Sequence, residues 1–136
     1  MAGDPTDTPV VIAAGEGSFI RQAIDNMGWC DMGDYVIVVD ALEDAPLEGE
    51  VMDLIADTIG DKPVGYVLNT HTHFDHVALN GAFVERFGAE IVNQRTTTID
   101  PPARLFESPD RSLQMIPMPG CHTKEDCVIW APDNGV

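Results

Sequence analysis

Four potential metal ligands lie within six consecutive residues, and this feature constrains the fold more than any other. His71, His73, Asp75 and His76 follow a β-branched run that ends at Leu68. In an extended stretch, His71 and His73 project to the same side, so both reach one ion. Asp75 and His76 would face a second ion where the chain bends into the following helix. The fold must therefore deliver a strand into a ligand loop and then a helix.

The alternative interpretation is that these histidines are solvated or packed side chains, as a lone histidine usually is. With this composition, the pattern His-x-His-x-Asp-His arises by chance with a probability on the order of one in a few thousand. The chain has four histidines, and the fourth, His122, lies in a second candidate ligand loop. Since zinc and iron bind neutral imidazole and carboxylate, the pattern predicts a metal site.

Strands and helices alternate along the rest of the chain. β-branched runs bounded by Gly, Pro or Asp predict strands at 10–12, 35–39, 64–68, 89–92, 115–117 and 128–130. Apolar residues at helical spacing predict an amphipathic helix over 46–59 and a second helix from Leu79 to Phe87 that ends at Gly88. The segment 15–34 receives no assignment, and 100–111 is predicted to be a surface connection. The alternation indicates an α/β layered domain.

The length and the N-terminal composition suggest one domain. Residues 1–8 are polar and rich in turn formers, which predicts a loose tail. Residues 9–136 then form a single domain, because 136 residues are few for two cores. The three cysteines form no Cys-x-x-Cys pair, and no apolar stretch reaches membrane-spanning length. We therefore expect reduced thiols and a cytoplasmic location.

The charge of the chain bears on its partners. Twenty-three acidic residues against seven basic ones give a formal net charge of -16, which repels nucleic acid and anionic membrane surfaces. A small-molecule substrate is the expected partner instead. This acidity also suits a salt-rich cytoplasm, which is one explanation among several.

The segment 71–76 resembles the His-x-His-x-Asp-His signature of the metallo-β-lactamase superfamily, and 118–123 is similar to its later Gly-His-Thr loop. The resemblance implies an αββα sandwich, of which this chain holds the N-terminal half and the first strands of the second half. It also implies two zinc ions, with iron as the alternative metal. His71, His73 and His122 would hold the first ion, while Asp75 and His76 would hold the second.

The sequence departs from the family pattern at several places. Cys121 precedes His122, and Glu125 stands where the family commonly has glycine. Cys121 is an additional candidate ligand, although adjacent side chains usually diverge. Asp40 resembles a common acidic position at a strand end, where it either orients backbone or a ligand ring, or simply caps a turn. The bridging aspartate and the last histidine of the family are expected beyond Val136, in a continuing chain, in a complementing C-terminal chain or in a dimer.

The resemblance implies hydrolysis of an ester, thioester, lactone or amide bond, with Asp75 orienting the attacking water and passing a proton to the leaving group. Related diiron flavoproteins reduce oxygen, but they usually carry glutamate at the place of His73. A mononuclear-iron persulfide dioxygenase keeps the same histidines and remains an alternative. The third hypothesis is a non-catalytic metal-binding fragment or subunit that needs a partner.

Overall fold

The computed structural model describes residues 10–13, 17–22, 26–42, 45–70, 77–94, 104–109, 111–117 and 127–132, and within these ranges it has two sheets and two complete helices. The helices are α1 (Glu48–Ile59), preceded by a 3-10 turn at Ala45–Leu47, and α2 (Asn80–Phe87). The strands are β1 (Val10–Ala13), β2 (Ser18–Gln22), β3 (Met27–Asp31), β4 (Val36–Val39), β5 (Val64–Leu68), β6 (Glu90–Val92), β7 (Arg104–Glu107), β8 (Ser112–Pro117) and β9 (Cys127–Trp130).

The first sheet has six strands in the order β1-β2-β3-β4-β5-β6. The pairs from β1 to β4 are antiparallel, whereas β4, β5 and β6 are parallel. Parallel neighbours need long crossover connections, and α1 lies in the first of these and α2 in the second. The second sheet is antiparallel, in the order β7-β8-β9. Because β4, β5 and β6 run in the same direction, all three end at the same edge of the first sheet.

The first sheet is buried on both faces. Val36, Val38 and Val67 belong to a core shared with α1 and α2, whereas Ile37 and Leu68 belong to a core shared with the second sheet. Successive side chains of a strand point to opposite faces, so the continuous apolar run of β4 fills both cores. The order of layers is thus helices, six-stranded sheet and three-stranded sheet. This confirms the α/β fold class.

Both predicted helices are present. Val51 and Ile55 of α1 are buried, and Leu54 and Ile59 are half-buried against the same core, as their spacing predicted. Helix α2 ends where Gly88 adopts a left-handed conformation, with φ of 66°, and donates its N–H to carbonyls of the last turn. Glycine adopts this conformation at little cost, which explains why the helix stops there.

The predicted strand at 64–68 has the observed bounds, and the others differ by a few residues. Two regions depart from the sequence prediction. The unassigned segment 15–34 contains β2 and β3, and the prediction of a surface connection over 100–111 is wrong for β7. In β7 only Phe106 is buried, so a single side chain of this strand belongs to the core. Pairing with β8 makes it a strand, and pairing is a long-range property.

Strand β9 lies at one end of the second sheet. It pairs with β8, and no strand among the described residues pairs with its other edge. The side chains of Val128 and Trp130 are 46% and 39% exposed. None of the helices in the described ranges is long and apolar enough to cross a membrane.

Candidate metal centre

The predicted ligands His71, His73, Asp75, His76 and His122 lie outside the described residues, as do Cys121 and Glu125. The structure does describe the chain on both sides of each ligand segment. It therefore gives the positions of Thr70 and Val77, on either side of the segment 71–76, and of Cys127, the first described residue after His122. In the described part of the chain, no three His, Cys, Asp or Glu side chains are close enough to hold an ion.

The segment 71–76 begins at the carboxyl edge of the parallel strands. Asp40, Asn69 and Asn93 directly follow β4, β5 and β6. Backbone hydrogen bonds align these ends, since the N–H of Asp40 donates to Leu68 over 2.8 Å and the N–H of Asn69 donates to Val92 over 3.0 Å. Ligands of open α/β sheets commonly bind outside this edge, so it is the expected place for a site.

Asp40 fixes the residue that precedes His71. One carboxylate oxygen accepts the backbone N–H of Thr70 over 2.8 Å, and the other accepts the Thr70 hydroxyl over 2.9 Å. Asp40 is 6% exposed and has φ of 64°, a left-handed conformation that aspartate tolerates better than most residues. Of the two predicted roles of Asp40, the structure supports the one in which its carboxylate orients backbone at the site.

The far end of the segment is held by the chain that follows Asp40. The backbone N–H groups of Ala78 and Leu79 donate to the carbonyls of Leu42 and Ala41, both over 2.9 Å. Leu42 is fully buried and has φ of 57°, which is a strained backbone conformation for this residue type. The stretch 40–42 therefore contacts described residues on both sides of the predicted ligand segment.

A hydrogen bond joins the start of β9 to the residue that precedes the segment 71–76. The backbone N–H of Cys127 donates to the carbonyl of Thr70 over 2.6 Å. Thr70 is covalently joined to His71, and Cys127 lies five residues after His122. The nearest described residues before His71 and after His122 are therefore in direct contact.

Three asparagines form an amide cluster beside the segment, with Asn69 and Asn93 buried and Asn80 half-buried, and the sequence analysis did not identify it. Asn69 and Asn80 exchange two hydrogen bonds, of 3.2 Å from Asn69 Nδ2 and 2.9 Å from Asn80 Nδ2. Asn93 Nδ2 donates to Asn69 Oδ1 over 2.9 Å. Asn69 is 0% exposed and Asn93 is 3% exposed. The signal in the sequence was that Asn69 and Asn93 each directly follow a predicted strand, and that Asn80 lies near the start of a predicted helix.

A cleft of about 340 Å³ opens beside Asp40, between β2–β4 of the first sheet and β9 of the second. Its walls are mostly apolar, and they include Ile20, Ile129 and Cys30. Burial raises the pKa of the Cys30 thiol, although a hydrogen bond with Ser18 and the positive charge of Arg111 act in the opposite direction. Cys30 therefore stays protonated at neutral pH. Cys30 and Cys127 are buried free thiols, as predicted.

Comparison with known proteins agrees with this geometry. The sequence model of the metallo-β-lactamase superfamily matches residues 30–131. Among curated proteins, none matches the chain. Many solved structures do, including BJP-1, a subclass B3 metallo-β-lactamase of Bradyrhizobium japonicum. That match has a TM-score of 0.76 and 16% identity, and it covers 96% of this chain and 60% of that one.

Two further structures show the same extent of similarity. A metallo-β-lactamase of Cronobacter sakazakii with a HARLDQ motif matches with a TM-score of 0.74 and 16% identity, over 91% of this chain and 58% of that one. MEM-A1, a subclass B3 enzyme from a soil metagenome library, matches with a TM-score of 0.72 and 15% identity, over 94% and 59% of the two chains. Identities this low show a common fold only.

This chain belongs to the metallo-β-lactamase superfamily, whose members are in general metal-dependent hydrolases. It has the fold of that superfamily over about 60% of the length of BJP-1, which is consistent with a partial domain. The resemblance drawn from the segment 71–76 is thereby confirmed.

Proposed function

We propose that this chain carries the metal-ligand portion of a hydrolase that cleaves an ester, thioester, lactone or amide bond. The single observation that most supports the proposal is the hydrogen bond from Cys127 to Thr70, because it ties the strand after His122 to the residue before His71. The donor set of three imidazoles for one ion, with Asp75 and His76 for another, fits zinc chemistry. Zinc ions bound there would lower the pKa of water toward neutrality and so supply hydroxide near pH 7.

The residues of the chain would divide the remaining work. His71, His73 and His122 would hold the first ion, and Asp75 and His76 the second. Asp75 would also orient the attacking water and pass its proton to the leaving group. Asp40 would fix the start of the ligand segment through Thr70, to which it is hydrogen bonded twice. The cleft beside Asp40 would admit a small molecule.

Elemental analysis of the purified chain tests the metal site. The double variant H71A/H73A should lose stoichiometric zinc, whereas Thr72→Ala, a change between the same two histidines, should retain it. Cys121→Ser should also retain zinc, because His122 takes the ligand position in this proposal. Full metal content in H71A/H73A would contradict the assignment of the site.

Turnover separates the possible functions once metal is bound. Zinc-dependent cleavage in a panel of esters, thioesters and lactones would support the hydrolase. Iron in place of zinc, with oxygen consumption on a persulfide, would instead support a mononuclear-iron dioxygenase. Metal binding without turnover would support a non-catalytic fragment, a candidate favoured by the fact that the chain spans about 60% of the length of BJP-1.

A complementing polypeptide is the partner that we propose for the second sheet. No described strand pairs with the outer edge of β9, and the apolar side chains of Val128 and Trp130 are partly exposed. Exposed edges and apolar faces of this kind tend to be covered in stable proteins. We expect the occupant to be a segment that adds a strand beside β9. Intact mass of the source protein and size-exclusion of the chain alone would distinguish a longer polypeptide, a separate partner chain and a second copy of this chain.

A further inference from the structure

The amide cluster Asn69, Asn80 and Asn93 joins the two ends of the predicted ligand segment. Asn69 lies two residues before His71, and Asn80 lies four residues after His76, as the first residue of α2. Their side chains exchange hydrogen bonds in both directions, over 2.9 Å and 3.2 Å. Asn93, which directly follows β6, donates a third hydrogen bond to Asn69 Oδ1, the oxygen that also accepts from Asn80.

The net contribution of this cluster to stability is small. Asn69 and Asn93 are almost completely removed from solvent, and buried amides contribute little net stability compared with apolar side chains of similar size. The reciprocal pair does, however, restrict geometry. Each amide must present its nitrogen to the oxygen of the other, so a shift of either backbone by one residue breaks both hydrogen bonds. The cluster therefore specifies where the two ends lie relative to each other.

We propose that the amide cluster positions the metal ligands by holding the start and the end of the segment 71–76 at a fixed separation. The inference rests on the proposed metal site. Metal ligands must be held within about 0.5 Å of their productive positions, and a loop does this only when its ends are constrained. Asp40 constrains the same segment through the backbone of Thr70, whereas the cluster constrains it through side chains that follow β5 and β6 and begin α2. Asn69, Asn80 and Asn93 are thus positioning residues that touch no metal.

Two variants of Asn80 test the proposal. Asn80→Leu keeps a similar shape and removes both hydrogen bonds with Asn69. Asn80→Asp still accepts from Asn69 Nδ2 but sets an oxygen against Asn69 Oδ1, and protonation of the new carboxyl restores a donor there. Gly49→Asp is the control for the added charge, since Gly49 is an exposed residue of α1 with nothing within 4 Å of an added Cβ.

Zinc affinity and the visible spectrum of the cobalt-loaded protein are the readouts for the metal. We expect zinc to bind at least about tenfold more weakly in Asn80→Leu, with a changed cobalt absorption band, and as wild type in Gly49→Asp. A stability change alone would leave the cobalt spectrum of the folded protein unaltered. Wild-type affinity and spectrum in Asn80→Leu would overturn the positioning role while leaving the metal site intact. Wild-type protein that binds no metal would overturn the proposed function itself, and the positioning role with it.

Amide hydrogen exchange of the metal-free protein gives an independent measurement. The N–H groups of Thr70, Ala78 and Leu79 are hydrogen bonded at the two ends of the segment. They should exchange about tenfold faster in Asn80→Asp than in wild type at neutral pH, and this ratio should fall toward one as the pH is lowered. If Asn80→Leu does not fold, the Asn80→Asp comparison decides the matter, and a ratio of one at neutral pH would overturn the proposal.

Discussion

Removing the carboxylate of Asp40 should lower the free energy of unfolding, because it breaks two hydrogen bonds to the residue that precedes the ligand segment. The carboxylate accepts two hydrogen bonds from Thr70, at 2.8 Å and 2.9 Å, and is nearly buried. A hydrogen bond to a charged group contributes about 1.5–3 kcal/mol. Thr70 is half-buried, so water would replace part of each lost bond, and we use the lower figure. The two bonds together then contribute about 3 kcal/mol.

Three substitutions separate the carboxylate from the backbone conformation. Asp40→Asn keeps a side chain that tolerates the φ of 64° and keeps one accepting oxygen, but its amide nitrogen replaces the other acceptor and the charge is lost, so it should cost about 1.5 kcal/mol. Asp40→Gly removes both hydrogen bonds but carries no left-handed strain, and should cost about 3 kcal/mol. Asp40→Ala removes the bonds and adds about 1 kcal/mol of strain, for about 4 kcal/mol in all.

Urea denaturation, with the free energy of unfolding extrapolated to water, is the assay for this series. Thr70→Val supplies the partner of a double-mutant cycle, because it deletes the hydroxyl that donates to Asp40 Oδ2 and keeps the side-chain shape. Asp40→Ala and Thr70→Val should therefore be less than additive. The reasoning fails if Asp40→Ala unfolds within 0.5 kcal/mol of wild type, a margin of about the size of neutral surface changes. It also fails if Asp40→Gly is less stable than Asp40→Ala.

Three further outcomes follow from the described residues. Gly81→Ala in α2 should raise the free energy of unfolding by about 0.5 kcal/mol, because nothing lies within 4 Å of the added Cβ and alanine favours the helix; a loss of stability would contradict this. Burial raises the pKa of Asp31, but hydrogen bonds from Lys62 and the Gly33 amide outweigh it and hold this pKa below its ordinary 3.8. The stabilisation from this ionised carboxylate is therefore present above pH 3.8 and is lost as the pH falls through the lowered pKa. The free energy of unfolding of Asp31→Asn should be lower than that of wild type at neutral pH, and the two values should converge in acid. Cys30, whose pKa is raised by burial, should react with iodoacetamide at pH 8 far more slowly in native than in urea-unfolded protein, and equal rates would place it at the surface.

The sequence by itself determined the parts of this protein that depend on neighbours along the chain. The run 64–68 predicted β5, and the spacing of Val51 and Ile55 predicted the buried face of α1, because periodicity is a local property. Gly88 marked the end of α2 through its own conformational freedom. The segment 71–76 indicated the superfamily, because several ligand types at short spacing seldom occur by chance.

Tertiary structure alone decided what holds the predicted site in place. Asp40 and Thr70 are 30 residues apart, and Asn69 and Asn93 are 24 apart, so no local pattern pairs them. The parallel arrangement of β4, β5 and β6 brings their carboxyl ends to one edge, where these polar side chains meet. Strand β7, with one buried residue, is likewise stabilised by pairing and not by its own composition. Metal-ligand residues can be recognised from short segments of sequence, whereas the contacts that position those segments depend on which strands become neighbours.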